Sequence, residues 1–455
     1  NENTQIVGLR WRDAYIGIYR ANQVLANLSN VEMSTAVSTQ IEAEARFLRA
    51  FFYNSLYRGY NGGSVIIHTS VPEIRDDFYK KPSPAFEVNA LILQDLEFAY
   101  QNLPQTYDDS ADLGRATWGA ATAMLGKLHL NDHNYAGAKE YFKEIMDANL
   151  YALTADIGDN FDEEHEFNSE SIFEVAFSID AKPGTSFGAQ DGPTGSEATN
   201  RAIGLATTQG GGYRTVMPSY YMTMLFKNDV MDMTNPINAS RTGTAPYSIR
   251  TSVSVAIADD DNTTLYQRSS DTGGAYNNSE GSYLKKFQNW HLLRESDQSV
   301  SGINERVIRL ADVMLLYAEC VLQTGGDYNE ALDMVNEIRT RAGVVPLAEA
   351  DYDADSLMEH IMWIERPLEL MFEGHDLRWE DLTRWGKIKE QYQRLAAKSY
   401  VISGKVLFEH DPAVHGTLKV VKEFVEAANV YSPEVHDYFP IPASELNSNP
   451  DFLDD

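Results

Sequence analysis

The chain has 455 residues, 43% of them hydrophobic, which is enough to bury a large core and allows two or three domains. Its formal net charge of -30, from 37 basic against 67 acidic residues, opposes binding to phosphate backbones, where clustered cations are needed to release counterions. Nucleic acid is therefore not an expected partner, the same field disfavours an acidic polysaccharide, and a neutral ligand is favoured.

Cys320 is the single cysteine, so neither an intramolecular disulfide nor a cysteine zinc site can form. It stands in the apolar run LADVMLLYAECVL, where a buried, inert thiol is expected. No apolar run reaches the roughly 18 residues that a membrane span needs. Asn1 follows no initiator methionine, apolar signal or cysteine for lipidation, so the numbering is expected to begin inside a longer precursor.

The first half of the chain predicts helix after helix. Trp11, Tyr15, Ile18 and Leu25 share one face of WRDAYIGIYRANQVLANL, and QIEAEARFLRAFFYNSLYRGY follows a short polar loop, which predicts a hairpin. After Gly62 and Gly63 the chain is expected to be loop-like from Pro72 to Pro84, and FEVNALILQDLEFAYQNLP then reads as a helix ending at Pro104. The stretch ATWGAATAMLGKLHLNDHNYAGAKEYFKEIMDANLYAL predicts a further pair. Its Trp118, Leu125, Gly126, Tyr135, Ala138 and Tyr141 approach the tetratricopeptide pattern, in which small residues let two helices close up. A second echo comes later, in Tyr317, Ala318, Tyr328, Ala331 and Gly343. Stacked helix pairs need neighbours to cover their apolar faces. The predicted fold class is therefore mostly α, a tetratricopeptide-like solenoid of helix pairs with an inserted loop-rich region containing a few short strands.

The predicted division is 1–168 for the first helical part, 169–303 for the insertion, 304–390 for the returning helices and 391–455 for a loop-rich segment packing on the helical layer. Within the insertion, SESIFEVAFSID alternates around Phe173, Val175 and Phe177 as a strand does. Tyr220 to Phe226 reads as a short helix, and Ile249 to Ile257 and Tyr283 to Phe287 as strands. Long loops in a compact chain carry function, so the ligand site is sought here.

Trp363 to Gly386, WIERPLELMFEGHDLRWEDLTRWG, packs charge and aromatic rings more densely than a solvated helix requires. Glu365, Glu369 and Glu373 fall at i, i+4 and i+8, with Arg366, His375, Arg378, Asp381 and Arg384 close by. Such a carboxylate stripe could act as a general acid and base. The interleaved arginines favour instead a network of mutual neutralisation that locks a helix and its turn. Pro367 is expected to start or bend that helix.

These residues resemble the signature of the SusD/RagB family, E-R-x-x-E-L-x-F-E-G followed by D-L-x-R-W-G. Here it stands as Glu365, Arg366, Glu369, Leu370, Phe372, Glu373 and Gly374, then Asp381, Leu382, Arg384, Trp385 and Gly386. ERVIRLADVMLLYAEC, read as a helix starting at Arg306, resembles a family helix that begins with an arginine. EARFLRAFFYNSLYRGYNGG resembles the family's second helix, with Ser64, Val65 and Ile66 where V-P-L is usual, and DYFPIPASELNSNPDF resembles its closing segment. The resemblance covers about Trp11 to Phe452. It implies a mostly helical, tetratricopeptide-like fold and a non-catalytic, surface-exposed lipoprotein of the Bacteroidetes outer membrane. That protein would capture glycan or peptide and pass it to a SusC-like TonB-dependent transporter, touching the membrane only through a lipidated cysteine outside this numbering. An oligo- or polysaccharide is the ligand expected first. A peptide, as on the RagB side of the family, is the alternative, and a secreted glycoside hydrolase using Glu365 or Glu373 is the alternative of another class.

A pyranose offers C–H faces to aromatic rings and hydroxyls to amides, carboxylates and guanidinium groups. Trp11, Trp118, Trp363, Trp379 and Trp385 lie in helical or signature segments, which leaves Trp290 as the one tryptophan of the insertion. The predicted ligand-binding residues are Trp290, His291, Tyr283, Tyr276, Tyr266 and Tyr213, with Arg75 and Asn277 as hydrogen-bonding partners. No cofactor is expected. Asp351, Asp353 and Asp355 have the early spacing of a calcium loop and could hold that ion, but its Gly and distant Glu are missing, and Asp355 or Ser356 is expected to cap the next helix. GTSFG, Gly184 to Gly188, has the G-x-S-x-G form without the strand and helix that a nucleophile elbow needs. Neither an H-E-x-x-H pair nor a phosphate loop occurs.

Overall fold

Small residues set how closely the first helices approach. Helix α1 (Gln5–Asn27) buries Trp11, Ala14, Ile18 and Ala21 and packs on α2 (Thr35–Gly59), which buries Ala43, Phe47, Ala50, Tyr53 and Leu56. A Cβ on Gly17 would overlap the Phe52 ring, so this crossing requires glycine. Ser34 starts α2 by accepting from the Val37 N–H, and Thr117 does the same for α4 (Trp118–Asn131) at Ala120. Between them, α3 (Ala85–Asn102) packs on both α2 and α4, while α5 (Tyr135–Asp147) closes on α4 because Gly126 leaves room for the Phe142 ring. One buried carboxylate ties the first three helices together. Asp95 on α3 takes Arg49 Nε of α2 at 2.7 Å, and Arg49 Nη1 reaches Asn22 Oδ1 of α1 at 2.8 Å.

The computed structural model describes residues 2–180, 197–242, 247–269, 281–291, 295, 300–374 and 376–453. The chain gathers into two compact units, Asn1–Ile145 with Tyr431–Asp455, and Met146–Val430. In the first, the end of the chain returns to α2: the Phe439 N–H donates to Gly59 O at 2.7 Å and the Asn61 N–H donates to Phe439 O at 3.0 Å.

In the second unit, strand β1 (Ser171–Val175) opens the loop-rich region. After it come α6 (Arg201–Leu205), α7 (Tyr220–Lys227) and α8 (Ile249–Ser254), then β2 (Val255–Ile257), β3 (Thr264–Leu265), β4 (Arg268–Ser269) and β5 (Ser282–Leu284). Strand β2 pairs with β5 and β3 with β4, both antiparallel. Strand β6 (Glu305–Arg309) then pairs antiparallel with β1, Val175 opposite Glu305, so the two ends of the region are pinned side by side. The helix pair α9 (Leu310–Gln323) and α10 (Tyr328–Arg341) follows, turning at Gly325 with φ +65° and joined by Tyr317 Oη donating to Glu330 at 2.5 Å. Beyond the signature, α14 (Ile388–Ala397) and the hairpin of β7 (Tyr400–Ser403) and β8 (Val406–Glu409) complete the unit. The architecture is the mostly α, tetratricopeptide-like one that the sequence predicts, with short strands confined to two-stranded ladders. Among the described residues no helix is long and apolar enough to cross a membrane.

Some expected elements differ. Ile249–Ser254 is helical because Ser248 accepts from the Thr251 N–H and Arg250 turns inward to buried carboxylates, so only Val255–Ile257 of the expected strand is extended. Strand β5 ends at Leu284, short of Phe287, whose φ of +61° breaks the extended run. The helix expected from Arg306 is strand as far as Arg309, since Glu305, Arg306, β-branched Ile308 and Arg309 find partners in β1, and α9 begins at Leu310.

Candidate functional site

The carboxylates of the signature meet cations from four other segments of the second unit. Helix α11 (Ala354–His360) runs into a π-helical turn, Ile361–Glu365, and then into α12 (Arg366–Glu369). In the widened turn the Arg366 N–H donates to Ile361 O, five residues back. Pro367 has no N–H for the next bond of that register, to Met362 O, and Arg378 Nη1 donates to this carbonyl instead at 2.9 Å. The helix ends at Glu369. Glu373 therefore does not continue a stripe on one helical face, as the spacing suggested, but follows Phe372 at φ +62° in the turn before α13 (Leu377–Arg384).

All three glutamates still converge on one buried lattice. Glu365 accepts from Arg250 Nη1 at 2.5 Å and Arg339 Nη1 at 2.7 Å. Glu369 accepts from Arg341 Nη2 at 2.5 Å and Arg309 Nη1 at 2.8 Å, while Glu373 takes Arg309 Nη2 at 2.9 Å and Lys286 Nζ at 2.5 Å. Glu170 links Arg309 and Arg341, and Asp229 closes the other end on Arg250 at 2.8 Å. A second cluster joins Arg366 to Asp381 at 2.7 Å, Arg384 to Asp381 and Glu319, and Trp385 Nε1 to Glu319 at 2.9 Å. Burial alone would raise the carboxyls of Glu365 and Glu369, but the surrounding arginines outweigh it and hold both below the usual range. The signature is thus a framework of mutual neutralisation.

The predicted ligand residues have different fates. Tyr266 and Tyr283 are only 6% and 4% exposed and form a core with Ala206, Ala256 and Leu265, so neither offers a ring face to a ligand. The Tyr266 hydroxyl donates to Gln288 Oε1 at 2.8 Å, with Glu295 Oε1 at 3.2 Å. Trp290 packs on this core and stays part-exposed, with Lys285 Nζ 3.4 Å from its ring centre. That nitrogen donates to Ser252 O and Thr263 Oγ1, both at 2.6 Å, and burial lowers its pKa to about 7. His291 stands edge-on to Trp290, ring centres 5.2 Å apart, and its Nε2 is 3.3 Å from Glu164 Oε2. Tyr213 is 60% exposed. Tyr276, Asn277, His375 and the Gly184 to Gly188 motif lie outside the described residues.

Arg75 belongs to the first unit and lines a groove of about 920 Å³. Trp11, Tyr15 and Tyr19 come to it from α1, with His68, Phe78 and Tyr79 from the segment after α2 and Glu445 from the closing segment. The Arg75 guanidinium lies over the Tyr79 ring, 5.7 Å from its centre, and Phe78 is 52% exposed. Trp11 is buried and donates through Nε1 to Glu445 at 3.2 Å, and the Tyr15 hydroxyl donates to Ile66 O at 2.8 Å. Burial, reinforced by Lys80, lowers the His68 pKa to about 4, so its imidazole is neutral at physiological pH. Tyr19, Phe78 and Tyr79 are absent from the sequence-based selection. The four-residue spacing of Trp11, Tyr15 and Tyr19 was a usable signal, but it reads equally as a core-facing stripe.

Among the described residues, two side-chain sets could hold a cation. They are Asp159, Asp162 and His165, and Asp162, Glu164 and His291, each with its ligand atoms within 4.8 Å of one another. In the Asp351 to Asp355 run it is Asp353 that caps α11, accepting from the Ser356 N–H at 2.8 Å while Ser356 Oγ returns the bond, so the cap is neither Asp355 nor Ser356.

Residues 169–453 match the model of the SusD family, and residues 1–130 match a model described as starch-binding and associating with the outer membrane. The chain is 25% identical over 409 residues to SusD-like protein P25 of Formosa agariphila, across 85% of this chain and 71% of that one. Its fold matches a SusD superfamily protein of Bacteroides vulgatus with a TM-score of 0.77 at 24% identity, over 100% of this chain and 86% of the other. It also matches a laminarin-binding SusD-like protein with a TM-score of 0.69 at 23% identity, over 98% and 84%. At these identities the solved structures speak for the fold alone, and they agree with the helix-pair architecture.

Proposed function

The chain belongs to the SusD family, and we propose that it is a non-catalytic surface protein that captures a neutral oligo- or polysaccharide and delivers it to a SusC-like TonB-dependent transporter. The supporting observation is the groove of about 920 Å³, where exposed rings of Tyr19 and Phe78 stand with the Arg75 and Tyr79 pair. Aromatic faces suit the C–H surface of a pyranose and the guanidinium suits its hydroxyls. Trp290 and His291, a ring pair with a carboxylate beside it, form a second candidate contact. A net charge of -30 favours a neutral polymer over an acidic one. Anchoring would come from a lipidated cysteine N-terminal to this segment.

The hydrolase alternative needs Glu365 or Glu373 as a reacting carboxyl. Both are buried and bonded to cations, which speaks against that role. Affinity gels cast with neutral polysaccharides, laminarin among them, test the proposal. At least one should retard the chain without release of reducing ends, and Tyr79→Ala or Trp290→Ala should lessen the retardation. Steady release of sugar that is lost in Glu373→Gln would establish the enzyme instead.

A further inference from the structure

The second unit holds a separate cavity of about 470 Å³ with walls that are chiefly apolar, including Met217, Met222, Leu284, Trp363, Met371 and Leu377. Most charged groups at its surface have partners. Glu373 is held by Arg309 and Lys286, Asp381 by Arg366 and Arg384, and Arg201 by Glu305, while Asp376 is exposed. Arg378 differs: its Nη1 serves the Met362 carbonyl, and among the described residues its guanidinium pairs with no carboxylate. The rings of Trp363 and Trp385 lie 5.7 and 5.9 Å from its central carbon. Burial draws its pKa down to about 10, which still leaves it charged at neutral pH.

A guanidinium set in apolar walls, with donors to spare, is complementary to a carboxylate. Its planar fork can take both oxygens at once, and the dry surroundings strengthen the pair. The same walls offer few partners to sugar hydroxyls, which separates this cavity from the aromatic groove in its chemistry. We propose that the cavity binds a small apolar molecule bearing a carboxylate, with the carboxylate on Arg378 and the hydrocarbon body against the methionine and tryptophan walls. Its volume lies within the roughly 300–1,000 Å³ range of small-molecule pockets. The proposal stands independently of the glycan reading.

Octanoate, with octanol as its neutral match, is titrated into the intact chain at pH 7 and followed by calorimetry and by the fluorescence of Trp363 and Trp379, which line the cavity. Octanoate should saturate one site and bind at least tenfold tighter than octanol. Arg378→Met should erase that preference, and Arg378→Lys, which keeps the charge and loses the fork, should retain part of it. Equal binding of acid and alcohol, no saturable octanoate binding, or an intact preference in Arg378→Met would overturn the proposal. Because Arg378→Met also leaves the Met362 carbonyl without its donor, Met222→Trp gives a second reading that spares the guanidinium. It narrows the cavity and should weaken octanoate at least tenfold, and undiminished binding there counts equally against the site.

Discussion

Glu369 faces guanidinium groups from three directions, with Arg341 at 2.5 Å, Arg309 at 2.8 Å and Arg250 at 3.4 Å. Removing it would leave buried cations with too few counter-charges, and breaking a buried pair in this way costs about 3–5 kcal/mol. Glu369→Ala is expected to lose that much in urea unfolding, and Glu369→Gln less, because the amide keeps the packing and can still accept a bond. A Glu369→Ala variant as stable as the parent would contradict the framework role. Tyr266 supplies a neutral counterpart to this charged case. Its hydroxyl is buried and bonded to Gln288, so Tyr266→Phe should cost about 1–2 kcal/mol in the same assay and leave glycan retention unchanged, since the ring faces the core. Trp290→Ala should lower both stability and retention, because the ring covers the buried Lys285 side chain as well as reaching the surface. Trp290→Phe preserves more of the packing and serves to separate the two effects.

At the scale of elements, Gly126 shows how packing overrides propensity. Alanine is ordinarily about 1 kcal/mol better than glycine inside a helix, yet a Cβ at this position overlaps the Phe142 ring of α5. Gly126→Ala is therefore expected to lower the thermal unfolding midpoint, at a net cost of about 1–3 kcal/mol. Adding Phe142→Leu should recover part of it, so that the two changes are non-additive; strict additivity would mean that the helices do not meet there. The helices α1 to α5 and the pair α9 and α10 were legible in the sequence because periodicity, capping residues and punctuating glycines are local signals. Strand β6 and helix α8 were not, because partners distant in the chain decide them: β1 claims Glu305–Arg309, and Arg250 must reach Glu365, 115 residues away. The signature was legible as a neutralised network, but its four-residue spacing concealed the end of the helix at Glu369, which the π turn and Pro367 impose. Arg75 and Trp290 could be chosen from chain position and residue type. A count of aromatic residues could not tell that Tyr266 and Tyr283 are core, nor that Tyr79 and Phe78 fold back toward α1, since burial depends on tertiary contacts that no local pattern carries.

For the molecule as a whole, acid acts through two sets of groups with different windows. In the fold, Glu365 and Glu369 are held below 4.5, whereas in the unfolded chain they titrate near the ordinary glutamate value. Below about pH 4.5 the unfolded state therefore binds protons that the folded state refuses, and the stability these residues contribute, complete above that pH, is lost as the pH falls toward their folded values. His68 works the same way at higher pH. Its folded pKa of about 4 lies below the ordinary 6.5, so between those values the unfolded chain again takes up the extra proton and stability declines as the pH is lowered. The net charge of -30 opposes both, since protonating surface carboxylates relieves self-repulsion. His68→Asn isolates one of these terms, because an amide of similar size does not titrate. Urea unfolding of parent and variant from pH 7 down to pH 4 should converge as the pH falls: the parent loses free energy across 6.5 to 4, while the variant stays flatter until glutamates of the unfolded chain begin to take up protons near pH 4.5. Parallel curves over that window would mean that His68 is not held as a buried neutral ring, and the groove it lines would then have a wetter wall than its geometry implies.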